Sequence, residues 1–112
     1  MVLTDSSSGN SNSVFGKRLK EARLRLGIPQ DKLGVMIGLD EHTASARISR
    51  YENGVHEPQI KISKLIAKVL NVPLAYLYCD DEKLAQIVLA THKLSSTNKD
   101  RLIQELNKNF SK

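Results

Sequence analysis

The sequence predicts an all-α protein, and two observations carry that prediction. Apolar residues recur with the 3.6-residue period of helices rather than the two-residue alternation of strands. The core material is also aliphatic: hydrophobic residues make up 40% of the 112 residues and aromatics only 4%, with no Trp. A core of Leu, Ile, Val and Ala suits close-packed helices. One compact domain with extensions is expected at this length, without room for a second, effector-binding domain.

Residues 5–13, DSSSGNSNS, offer nothing to bury, so 1–13 is expected to be a disordered arm. Phe15, Leu19, Ala22 and Leu26 then fall at i, i+4, i+7 and i+11, which predicts a first helix over 14–26 ended by Gly27. A short second helix is expected over 30–37, with Leu33, Met36 and Ile37 inward and Gly38 turning the chain. Pro29 stands where a Ser or Thr cap would be usual. Ala44, Ile48 and Tyr51 form the next stripe and predict a third helix over 41–52, capped by Asp40 and closed by Asn53-Gly54.

Beyond Pro58, Ile62, Leu65, Ile66 and Val69 mark a fourth helix ending near Leu70, with Asn71 suited to a left-handed cap. Pro73 opens a short fifth helix reaching Tyr78. Leu84, Ile87 and Val88 indicate a sixth over 81–92, and Leu102, Ile103, Leu106 and Phe110 a seventh over 96–109, capped by Ser95 or Ser96.

Composition narrows the function classes. Cys79 is the only cysteine, so neither an intrachain disulfide nor a cysteine-rich metal site can form, and a reducing, cytoplasmic location is expected. The opening residues lack the pattern of a signal peptide, and no apolar run approaches the roughly 20 residues that span a bilayer. The net charge of +5 favours polyanionic partners. It is spread over both halves of the chain and does not locate a binding surface.

Pattern does locate one. The segments FGKRLKEARLRLG, Q-DKLGVMIG, ISRYENG and P-QIKISKLIAKVLNVPLAYL occur in the order, and nearly at the spacing, of the Cro and phage-repressor (Xre-like) helix-turn-helix regulators. Residues 15–77 resemble that family. The resemblance implies a five-helix repressor-like DNA-binding domain over 14–78, followed by two additional helices over 79–112 that are candidates for dimerisation. Gly34 lies where the second helix must let the third approach closely, and Gly38 supplies the turn between them. Such a pair holds the third helix proud of the body, so that it can enter the major groove, about 12 Å wide.

One departure stands out: LDEHTASAR, between Gly38 and Ile48, is about four residues longer than the family spacing. Four residues is close to one helical turn, so either the third helix gains a turn or the loop grows. The helix is the expectation, because Ala44 shares the stripe of Ile48 and Tyr51.

At 100° per residue, His42, Ala46, Ser49 and Arg50 project opposite that stripe, with Thr43 and Arg47 flanking. His42, Thr43, Ala46, Ser49 and Arg50 are the candidate base contacts. The guanidinium of Arg50 can bond guanine O6 and N7 together, and Ala46 and Thr43 can meet the thymine methyl. The plainer alternative is that Arg50 touches only phosphate or solvent. Gln30 and Asn53 match family residues that bond the DNA backbone, and Arg47, Lys61 and Lys17 are further phosphate candidates, although a surface Lys is commonly just solvated. Arg23 and Glu52 correspond to a family ion pair, expected to be structural.

Catalysis finds no motif. His42, His56 and His92 are scattered without metal-ligand spacing, and there is no GxSxG elbow or glycine-rich phosphate loop, so no enzyme activity, metal or cofactor is expected. The apolar faces of the last two helices need burial, either on the body or against a second copy. The leading expectation is a sequence-specific repressor acting as a homodimer on a palindromic double-stranded operator. The competing one is an antitoxin or anti-regulator whose main partner is a protein. The absence of acidic residues between His42 and Tyr51 favours a working DNA face.

Overall fold

The computed structural model describes residues 13–110, and its regular elements are seven helices: α1 (Val14–Leu26), α2 (Gln30–Met36), α3 (Ala44–Glu52), α4 (Ile60–Leu70), α5 (Leu74–Leu77), α6 (Glu82–His92) and α7 (Ser96–Phe110). The arm expected over 1–13 lies outside the described residues except for Ser13. That residue belongs to the fold, because its hydroxyl accepts the Gly16 N–H at 2.9 Å and caps α1.

The first five helices enclose one core, built from Phe15, Leu19 and Ala22 of α1, Leu33 of α2, Ile48 and Tyr51 of α3, Ile66 and Leu70 of α4, and Tyr76 and Leu77 of α5. Two glycines set how closely the helices approach. A Cβ on Gly34 would stand 2.5 Å from the Cβ of Ala44, so α3 rests directly on the backbone of α2. A Cβ on Gly16 would run into the Tyr51 and Glu52 carbonyl oxygens, so the start of α1 abuts the end of α3. At the end of α4, Asn71 takes the left-handed conformation (φ 57°) and its N–H returns to Lys68 O.

Two expectations need correction. The four extra residues before Ile48 enlarge the turn, and α3 begins at Ala44 rather than 41. The turn is held locally: Asp40 Oδ1 accepts the His42 N–H at 2.8 Å, and Asp40 O accepts the Thr43 N–H at 3.0 Å. These two bonds close the turn on Asp40, and α3 starts after it. Met36 is 54% exposed because the Gly34–Ala44 contact rotates the buried face of α2 toward Leu33, Gly34 and Ile37. On α6 the inward face is Ala85, Val88 and Leu89, leaving Leu84 and Ile87 exposed.

A polar cluster fastens α6 to the body. The Arg18 side chain, 2% exposed, donates from Nε to Cys79 O at 2.8 Å and from Nη1 to Glu21 and Glu82, each at 3.1 Å. Its guanidinium also lies over the Tyr76 ring, 5.5 Å from the centroid. Burial works against the charge of Arg18, but the hydrogen bonds to Glu21 and Glu82 prevail and hold the guanidinium above its ordinary pKa. The Lys17 ammonium, 2.5 Å from Glu82 Oε2, and then Arg18 hold the Glu82 carboxyl below the usual range. By contrast, α7 buries no residue.

Candidate nucleic-acid interface

Both ends of α3 are fixed before any ligand arrives. Its inner side is seated by Ala44, Ile48 and Tyr51, all buried. At its C-terminal end the Arg23 side chain of α1 meets Glu52 through two contacts, Nε to Oε2 at 2.5 Å and Nη2 to Oε1 at 3.2 Å, while Nη1 donates to Ile28 O at 2.9 Å. Both side chains are nearly buried, so their charges are matched to each other and not to water. Gln30, at the start of α2, extends this network. Its Nε2 donates to Glu52 Oε1 at 3.0 Å, and its Oε1 accepts from the Ser45 hydroxyl at 3.3 Å. A run of hydrogen bonds therefore ties α1 to the end of α3, and through α2 to the beginning of α3.

Opposite the seat, Ala46, Arg47 and Arg50 are exposed, and Ser49 is half-buried with its hydroxyl accepting from Asn53 Nδ2 at 3.2 Å. His42 and Thr43 are also exposed, but they sit in the turn, and Thr43 is the residue that precedes α3. Lys61 is exposed on the first turn of α4. Arg47 and Arg50 line one wall of an open groove whose other wall is the loop to α4, with His56, Glu57 and Gln59. That loop is held to α3 because Arg50 O accepts the N–H groups of Val55 and His56.

Lys17 lies on α1, away from the groove beside α3. Its ammonium is paired with Glu82, which joins α1 to α6. Four participants lack a sequence signal of this kind. Ser45 and Gly16 are legible only once the helices are docked, and His56 and Gln59 acquire a place beside Arg50 only when the α3–α4 loop folds back.

The family model described as Helix-turn-helix (HTH_3) matches residues 19–77, more than half of the chain. The chain belongs to the helix-turn-helix family. Among solved structures, this helix-turn-helix protein is similar to the transcriptional regulator BswR, with 42% sequence identity and a TM-score of 0.78 over 83% of this chain and 92% of that one. Comparison with curated proteins finds none that matches. Among the described residues, no helix is long and apolar enough to cross a membrane, and no group of three or more His, Cys, Asp or Glu side chains is placed to hold a metal ion.

Proposed function

We propose that this protein is a sequence-specific, double-stranded DNA-binding transcription regulator, a repressor that reads the major groove with α3. The carrying observation is the contrast between the two sides of that helix. Its inner side is locked by the Arg23–Glu52–Gln30–Ser45 network, and its outer side presents Ala46, Arg47 and Arg50 to solvent. A helix held this rigidly loses little freedom on entering a groove, so its contacts are spent on recognition. The identity to a transcriptional regulator over most of both chains supports the same reading.

In this reading Arg50 and Ala46 meet base edges, with Ser49, Thr43 and His42 at the margins, and Arg47, Asn53 and Lys61 meet phosphates. Gln30 contributes mainly by holding α3, and its backbone contact is secondary. Occupying an operator is sufficient to block transcription, so no catalytic group is required. A homodimer on a palindrome fits the size of the reading head, because one domain covers only a few base pairs.

Selection of preferred sites from a random duplex pool tests the proposal. Recovery of a two-fold symmetric site, with half-sites separated by about 34 Å or a multiple, is expected. Binding that is equal on all sequences, or binding only to a protein partner, overturns it.

A further inference from the structure

The chain leaves α2 at Met36 and enters α3 at Ala44, yet Ala44 packs on Gly34 within α2. The residues between make an excursion from this two-helix seat and return to it. The excursion is well held: Leu39 is half-buried with its N–H on Gly34 O at 2.9 Å, and Asp40 takes the His42 and Thr43 N–H groups. Its tip is open. The side chains of Glu41 and His42 are 78% and 84% exposed, and Glu41 Oε2 and His42 Nε2 are 3.9 Å apart, too far for a hydrogen bond. From Glu41 to Arg47 only Ala44 is buried, so the tip runs continuously into the outward face of α3.

An exposed carboxylate at the edge of a DNA-facing surface is repelled by phosphates unless a donor meets it. In the major groove, the donors that a carboxylate can accept from are the exocyclic amino groups of cytosine and adenine. Within the turn Asp40 is occupied in closing it, which leaves Glu41 as the turn's carboxylate free to act. We propose that Glu41 is a specificity-determining residue: held out by the enlarged turn, it accepts from the amino group of cytosine in a base pair bordering those that face α3. The inference rests on the DNA reading above, and it extends the recognised sequence past the end of the helix. The turn is ordered in advance, so presenting Glu41 costs little entropy on binding.

Site selection with the full-length protein and with Glu41→Ala and Glu41→Gln tests this, after thermal unfolding has shown that the variants are as stable as the parent. The parent is expected to prefer cytosine at one bordering position, by on the order of tenfold over the worst base. Glu41→Ala should lose that preference and Glu41→Gln should move it toward adenine, with every other position and the salt dependence unchanged. If Glu41 is only solvated, removing its charge will tighten binding to all sequences alike and leave the selected site as it was, which overturns the inference alone. A parent protein that selects no sequence overturns the DNA reading as well.

Discussion

Arg23 and Glu52 occupy the point where three helices meet, and their geometry explains why charge is tolerated there. Withdrawing a guanidinium and a carboxylate from water is unfavourable unless their remaining hydrogen-bonding atoms are also met. Here Ile28 O takes the third guanidinium contact and Gln30 supplies a second donor to Glu52. Glu52→Ala strands the arginine, and a loss of about 3 to 5 kcal/mol is expected, read as a lower urea midpoint with an unchanged slope. Arg50 belongs to the opposite class, since it is exposed and outside this network. Arg50→Ala should leave the midpoint unmoved, weaken the cognate site by about 1 to 3 kcal/mol and relax preference at one base pair. A midpoint shift with unaltered base preference would return Arg50 to a structural role.

At the level of elements, the legible parts of the fold are those with a repeating signal. Leu19 and Ala22, Ile48 and Tyr51, and the Asn71 cap are set by periodicity or by a single residue's backbone preference, and each lies where its spacing predicts. What escapes is decided by contacts between elements. Met36 is turned outward by the docking of α2 on α3, and a turn closed on Asp40 stands where a helix from residue 41 was expected. The candidate interface follows the same division. Arg47 and Arg50 were legible as outward positions of a stripe, whereas Ser45, His56 and Gln59 depend on how loops return to α3. The α1–α6 junction was hidden as well, because nothing in the spacing links Lys17 or Arg18 to Glu82. That junction has a pH signature. The folded pKa of Glu82 is lowered by Lys17 and Arg18, so its stabilisation is complete above the unfolded carboxyl value near 4.5 and fades as pH falls through the folded value. Glu82→Gln should therefore unfold at lower temperature than the parent at pH 7, and the gap should close as the solution is acidified below about pH 4.5. A gap that is constant across this range excludes the ion pairs as its source.

Across the whole molecule, burial is unequal. The first five helices share a core, α6 is attached through Ala85 and the Arg18–Glu82 cluster, and α7 exposes Ile103, Leu106 and Phe110 at 55%, 46% and 76%. Leu84 and Ile87 of α6 are exposed as well. An amphipathic helix with an uncovered apolar stripe is poorly matched to water, and a two-fold axis would bury the same stripe twice. A second copy at α7 would also supply the second reading head required by a palindromic operator. The double variant Ile103→Glu, Leu106→Glu places charge on that stripe without touching the core, so the helix-turn-helix should fold as before. By light scattering the parent is expected at twice the monomer mass and the variant at the monomer mass. On DNA, the variant should lose most of its affinity for the full palindrome while binding an isolated half-site as the parent does. A parent that is monomeric at high concentration, or a variant that remains dimeric, removes α7 from the proposed interface and leaves the proposed reading of each half-site by α3 intact.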